Sequence, residues 1–581
     1  MIKVIAKFFS ILDLDQKKKL IFLLFLSFVA AILEMLGLSL FIPIITSLNN
    51  FDFHYNIFTN SSLVNFFHSF VIFFNNKIFL FLIFLGVFFL IKTIILIYFS
   101  GVSSKFSSNL HQKVASRIFK NYLYQDYNFY ISRSSSQLIQ NINSEITILV
   151  TRFFASFIIL INEILIFLLI SILLLLVSST TFFLVLFFFL FSFILFIYST
   201  RRLLRLWGFQ RQKHEINSIK YVQEGIRNIK DLKVYGVEEK FFDYFDFEIK
   251  QFSKIDKSIN LLSSVPKYYI EFISIILFIS IYWLLSFFDI SNQRIVIILS
   301  FFAVAAIKLM PSINRILNAL VQIKYSTATI DVIYKEINLK NNYKNNKSTG
   351  SKKEIFIKNN LLIKNLHFKH EGSNHFLFKN INLKIPFKNI IGVIGDSGSG
   401  KTTFIDLILG LIKPNKGSIL LNNIDILSDL KYWRDNISYV QQFSYFTQDS
   451  IKRNIAIRSK ENFIDVNKVN YCLQQVGLSK FVNNLPKKIN SKLSELANNL
   501  SGGQKQRLSI ARALYSDTNI LILDEATNSL DEKSEIKLIK NIITLYEDKT
   551  VFIITHKKSL LQYCDLVLKV ENNNIKKYKY Y

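Results

Sequence analysis

Cysteine, proline and glycine are scarce in this 581-residue chain, at 2, 6 and 17 residues. The two cysteines, Cys472 and Cys564, stand far apart and outside any metal-ligand spacing, which excludes a cysteine-built metal centre and leaves them as small buried hydrophobes. With so little glycine and proline against 58 phenylalanines, much of the chain must bury large apolar side chains or turn them to lipid. Acidic residues are also few, 41 against 70 basic ones, a formal charge of +29. That excess would suit nucleic acid, but there is no basic arm. Lysine and arginine are spread through loops beside apolar spans, where they face anionic lipid on the cytoplasmic side. The N-terminal lysines and apolar run are followed by no small-residue cleavage site before a full-length span begins, so no removable signal peptide is expected.

What the chain has is apolar length. Mean hydropathy is +0.31, unusual for a water-soluble protein, and the length exceeds one compact core, so two domains are expected. Apolar stretches near 20–48, 78–100, 153–178, 181–200, 261–288 and 294–322 each approach the roughly 20 residues that cross a hydrocarbon core. Six spans follow, in a transmembrane domain over 1–323. Lys17, Lys18 and Lys19 precede the first span. Lys105, Lys113, Arg117, Lys120 and Arg133 lie between the second and third, and Arg201, Arg202, Arg205 and Arg211 between the fourth and fifth. This bias puts both termini and both long loops in the cytoplasm, and Ser178–Thr180 forms a very short outer turn. Residues 61–71 carry Leu63, Phe66, Phe67, Phe70 and Val71 at helical spacing, either as an amphipathic helix on the outer bilayer surface or as a continuation of the second span.

Four cations interrupt the spans: Lys92, Lys267, Lys308 and Arg315. A basic side chain at mid-bilayer costs about 2.5–3.5 kcal/mol, so such residues face a partner or a water-filled cavity. Glu34, Glu163 and Glu271 are the available acids, and Lys267 and Glu271 are spaced to pair within one helix. Lys308 and Arg315, seven apart, share a helix face and read as a cavity for an anionic group, with Pro311 between them able to kink that helix.

From about 324 the composition turns to Lys, Asn and Ser, and 324–352 reads as a linker to a soluble α/β domain over 353–581. Gly395-Asp396-Ser397-Gly398-Ser399-Gly400-Lys401-Thr402 fits the phosphate-binding loop, between the β-branched run 390–394 and an apolar helix that starts at Thr403. Its backbone amides cradle ATP phosphates, Lys401 reaches the outer ones, and the Thr402 hydroxyl ligates Mg2+. A second apolar strand, 520–523, ends in Asp524, a Mg2+ ligand, and Glu525, placed as general base. A third, 551–554, delivers His556, read as the γ-phosphate sensor.

Leu500-Ser501-Gly502-Gly503-Gln504-Lys505-Gln506-Arg507 resembles the signature sequence of the ABC ATPase family. That resemblance implies Gln442 as the Q-loop residue, catalytic and on Mg2+, and Asn528-Ser529-Leu530-Asp531 as the D-loop, with Asp531 beside nucleotide. It also puts His370 where the family offers an aromatic ring to adenine, with Phe376 as substitute, and finds Gln441 where a proline commonly precedes the Q-loop glutamine. In the family, the signature of one subunit closes over nucleotide held by another. An intact set in one chain therefore implies a homodimer in which Ser501, Gly502, Gly503 and Gln504 serve the second copy. The fold expected is a membrane α-helical bundle of six transmembrane helices, of ABC exporter type, plus an α/β P-loop ATPase domain.

Within the exporters, 308–315, 265–271 and 377–383 resemble the bacterial lipid-linked oligosaccharide flippases. The resemblance implies Lys92, Lys267, Lys308 and Arg315 as substrate-binding cations, a polyprenyl-diphosphate glycan as cargo and the bacterial inner membrane as location. Three positions expected as arginine are lysine, which keeps the charge but loses bidentate recognition of phosphate. An exporter of other lipids, drugs or peptides shares every ATPase motif. Six apolar spans with one ATPase cassette oppose a soluble ABC protein acting on nucleic acid, and Glu525 with His556 opposes a non-hydrolytic scaffold.

Overall fold

Long apolar runs free of helix breakers can satisfy their backbone only within themselves when water is absent, and they form helices. The computed structural model describes residues 2–40, 78–177, 179–287, 292–339, 360–494 and 497–578. The segment 61–71 lies outside them. The chain divides into two units, one comprising Met1–Gln125 and Tyr130–Asn341, the other Asp126–Phe129 and Asn342–Tyr581.

The first unit is helical: α1 (Ile2–Ile11), α2 (Leu14–Ser39), α3 (Ile78–Leu123), α4 (Ala155–Val177), α5 (Ser179–Arg227), α6 (Glu238–Phe287), α7 (Asn292–Tyr325) and α8 (Thr327–Ile337). Each of the six apolar runs read from sequence lies at least partly on one of α2 to α7. Among the described residues, Leu14–Gly37, Leu82–Leu123, Ser135–Ile172 and Glu238–Leu284 are long and apolar enough to cross a membrane. Helices α6 and α7 run through Pro266 and Pro311 without ending. In the polar half of α5 buried charge replaces apolar packing: Arg211 reaches Glu145 at 2.6 Å and Glu215 at 2.7 Å, with Glu145 fully buried. The stretch expected as linker from 324 begins as helix. Ala328, Ile330 and Ile333 give α8 a buried apolar face that its polar flanks conceal in composition.

The second unit holds two sheets. One is antiparallel, in the order β2-β1-β4-β5: β1 (Asn360–Phe368), β2 (Phe378–Pro386), β4 (Lys416–Leu421) and β5 (Ile424–Asp425). The other runs β10-β9-β3-β8-β7-β6, made of β3 (Ile390–Ile394), β6 (Ile437–Val440), β7 (Ile520–Asp524), β8 (Thr550–Ile554), β9 (Leu566–Glu571) and β10 (Asn574–Tyr578). Strands β9, β3, β8, β7 and β6 are parallel, and β10 is an antiparallel edge. Strands β7 and β8 are buried on both faces, which is why they read as unbroken apolar runs. Ile520, Ile522, Phe552 and Ile554 face one core, and Leu521, Leu523, Val551 and Ile553 the other. Three helices flank the site below: α9 (Lys401–Ile408), α10 (Gly502–Ser516) and α11 (Glu532–Leu545).

Candidate functional site

Parallel neighbours end at the same sheet edge, so β3, β8, β7 and β6 set four loops in a row. In that order they present the phosphate loop, His556, Asp524 with Glu525, and Gln441 with Gln442. The loop closes onto α9 through Gly400, at φ +102°, where an added Cβ would come within 3.1 Å of Leu377 and Phe378. Lys401 is 7% exposed, and its Nζ donates to the carbonyls of Gly395 and Asp396, both at 2.9 Å. Burial pushes its ammonium below the ordinary lysine range, opposed by the charges of Glu525, Asp396 and Asp524.

Asp524 is buried, and Tyr439 Oη donates to its Oδ2 at 2.9 Å. Desolvation raises its carboxyl above the usual range, with the Tyr439 bond and Lys401 opposing and Glu525 adding to the rise. Glu525 adopts φ +47°, a left-handed backbone that few non-glycine residues take. Its carboxylate collects three neighbours: Gln442 donates to Oε2 at 2.7 Å, Asn528 donates to Oε2 at 2.9 Å, and His556 Nε2 lies 3.3 Å from Oε1. The β3, β7 and β8 loops and the Q-loop thus converge on one cation and two acids.

Ser501 caps α10 in a reciprocal capping box with Gln504. A Cβ on Gly503 would meet Leu530 at 3.0 Å, and Gln506 accepts from the Ser529 amide at 2.9 Å, so the signature packs on the D-loop. Asp531 caps α11 by accepting from Ser534. Ser501 and Gln504 bond each other at the start of α10, and Gly502 lies against Ser529. His370 is exposed and stands edge-on to Phe368, with centroids 5.1 Å apart. Phe376 stands edge-on to His367 at 5.9 Å.

The site fits a magnesium nucleotide. Ser399 Oγ is buried without a partner, Lys401 carries its charge on neutral carbonyls, and Asp524 holds a buried carboxylate with one donor. Two contributors escaped the sequence reading: Tyr439, and Asn528 as a ligand of Glu525. Strand parity held the signal for the first, because Tyr439 pairs with Ile522 in parallel β6–β7 register and so shares a face with Asp524. Lys557 donates to the fully buried Glu535 at 2.8 Å, tying the residue after His556 to α11.

In the helical unit, Lys92 is 7% exposed and its Nζ lies 2.8 Å from Glu34 Oε2. Arg315 Nε lies 2.8 Å from Glu163 Oε1. Lys267 is exposed and stands over the Tyr268 ring at 5.7 Å, with Glu271 taking no part. Lys308 lies on α7, and its side chain is outside the described parts.

Residues 20–309 match the ABC transporter transmembrane region, and residues 378–528 match the ABC transporter family. Over 372 residues the chain is 29% identical to the ATP-dependent lipid A-core flippase of Wigglesworthia glossinidia brevipalpis, covering 64% of this chain and 62% of that one. It is 35% identical over 212 residues to ABC transporter B family member 29, chloroplastic, of Arabidopsis thaliana, with 36% of this chain and 33% of that one covered. It is 34% identical over 220 residues to the alpha-hemolysin translocation ATP-binding protein of Escherichia coli, with 38% and 31% covered. The chain thus spans from under a third to under two thirds of these curated relatives. In fold it is similar to a bacterial Atm1-family ABC exporter solved with ATP bound, at TM-score 0.73 and 16% identity, over 96% of this chain and 94% of that one.

Proposed function

The chain belongs to the ABC transporters of exporter type, with that family's transmembrane region and ATPase domain, and from this premise we propose that two copies form an ATP-hydrolysis-driven lipid flippase. The observation that carries the ATPase is the convergence of Lys401, Asp524, Glu525, Gln442 and His556 at one sheet edge. Three neighbours hold the Glu525 carboxylate in one orientation, the requirement for a base that takes a proton from attacking water. Lys401 and the loop amides neutralise phosphate oxygens, and His556 reads the terminal one. Thr402, Gln442 and Asp524 would hold Mg2+, which when bound supplies positive charge to the phosphoryl oxygens. As in the family whose signature this sequence resembles, a second copy supplies Ser501–Gln504 to the nucleotide held here, and the dimer has two sites. His370, or Phe376 in its place, meets adenine.

For cargo we propose a polyprenyl-diphosphate-linked oligosaccharide, moved across the bacterial inner membrane with both termini cytoplasmic. The support is the set of span cations: exposed Lys267, Arg315 with a half-exposed side chain, Lys92, and Lys308 on the same helix as Arg315. The sequence resemblance to lipid-linked oligosaccharide flippases and the relatives named lipid A-core flippases point the same way. An exporter of other lipids, drugs or peptides is the second reading, favoured by the likeness to the toxin translocation protein.

Reconstitution tests both parts. Purified protein in vesicles should move a fluorescent polyprenyl-diphosphate oligosaccharide with ATP, and Glu525→Gln should retain ATP binding while hydrolysis falls by about 100-fold or more. Movement of simple lipids or peptides without the glycolipid would reject the cargo. Near-normal turnover by Glu525→Gln would reject the base.

A further inference from the structure

The span cations are not equally ready for an anion. Lys92 and Arg315 already hold carboxylates, and each pair joins spans far apart in sequence, α3 to α2 and α7 to α4. The second pair is incomplete. Glu163 is 5% exposed, one oxygen meets Arg315 Nε, and the other, Oε2, is buried with no hydrogen-bond partner. The Arg315 side chain is 56% exposed and meets this acid through Nε at 2.8 Å. A pair built only to lock two helices would close both oxygens, because a bare buried acceptor is expensive. Ser312 on α7 donates to the Glu163 backbone carbonyl at 3.3 Å and stands beside the carboxylate, so a hydroxyl and one guanidinium nitrogen hold this acid next to a half-exposed guanidinium, an arrangement suited to exchange.

We propose that Glu163, with Glu34 as its counterpart at Lys92, is a specificity-determining residue that occupies the cation until a lipid diphosphate takes it over. This inference rests on the lipid-diphosphate cargo proposed above. A singly charged headgroup gains little from the exchange, since it replaces one negative charge with another. A diphosphate brings more charge and more acceptor oxygens to Arg315 than the carboxylate it displaces. The acid thereby keeps monoanionic and neutral lipids from Arg315.

The test uses full-length protein in nanodiscs, wild type against Glu163→Gln and Glu34→Gln, with didodecyl phosphate, a monoanionic diester, and dodecyl diphosphate titrated by calorimetry. Removing the acid's charge should tighten monophosphate binding about tenfold and diphosphate binding less, so that the preference for diphosphate shrinks. The shift should be largest for Glu163→Gln. An unchanged preference in both variants, or weaker binding of both ligands, overturns the inference. Should Glu163→Gln fail to fold, Glu34→Gln decides by the same ratio. A parallel titration with an isoprenoid diphosphate separates the two readings: no wild-type binding there, with the dodecyl shift intact, sinks the flippase cargo and spares the charge exchange.

Discussion

Lys401 in the ATPase unit and Lys92 in the helical unit are equally buried, at 7% exposed, and are held by opposite means. Lys401 hangs from two neutral carbonyls, so its charge is oriented, and Glu525, Asp396 and Asp524 offset it only through space. Lys92 sits against a carboxylate, so its charge is cancelled until something displaces Glu34. The first arrangement is preorganised for phosphate and needs no exchange on binding. The second survives inside apolar helices because it is neutral as a pair, and it makes any anionic ligand compete.

Replacing each lysine by methionine should separate the two designs. Lys401→Met is expected to cut phosphate release by about 100-fold or more while moving thermal unfolding by less than about 1 kcal/mol, since it removes a cation that burial disfavours. Lys92→Met should do the reverse: lipid-free turnover persists, and about 2 kcal/mol of stability is lost with the Lys92–Glu34 contact. Equal stability losses would erase the distinction.

A smaller effect concerns Asp524. Tyr439→Phe removes its single hydroxyl donor and should lower turnover about tenfold, with a matching rise in the Mg2+ concentration required. Mn2+ binding followed by magnetic resonance reads the same loss without turnover. No change would mean that Tyr439 is packing alone.

Next comes Asp406 on α9, whose carboxyl is pushed up from 3.8 to about 6 by burial and then by Asp524. The folded chain holds this proton more tightly than the unfolded one, so the contribution is full at low pH and is lost as pH rises from 3.8 through about 6. Melting temperature measured across that window should fall more steeply for wild type than for Asp406→Asn. Equal slopes would show that Asp406 has a compensating cation, making it resemble Lys92 after all.

Smallest is Ala497, fully buried at φ +50° shortly before the signature. Ala497→Gly should stabilise the fold by about 0.5–1 kcal/mol in chemical denaturation, because the left-handed region strains any Cβ. A loss instead would place strain behind charge as a factor in this unit.

The same contrast explains what could be read from sequence. The phosphate loop, Asp524-Glu525 and the signature are contiguous, and their chemistry demands fixed residue types between strand and helix, so they were visible at once. The six apolar runs were visible by length alone. The pairing of Lys92 with Glu34, 58 residues apart, was not, because three acids competed for the same cations and only packing chooses among them. Among the described residues, Glu271, the sequence neighbour of Lys267, makes no ion pair, whereas distant Glu34 and Glu163 do. Helix α8 was hidden because Lys and Asn around 335–347 swamped its buried isoleucines. Asn528 was placed in the D-loop, but its bond to Glu525 depends on a turn that composition does not encode.

The alternation along β7 acts as a ruler. Ile520 and Ile522 belong to one core and Leu521 and Leu523 to the other, so inserting or deleting one residue there would swap four side chains between cores and turn Asp524 away from Tyr439. Length at that strand is therefore guarded more strictly than identity: conservative exchanges among its apolar positions can be absorbed, but a frame shift of a single residue cannot.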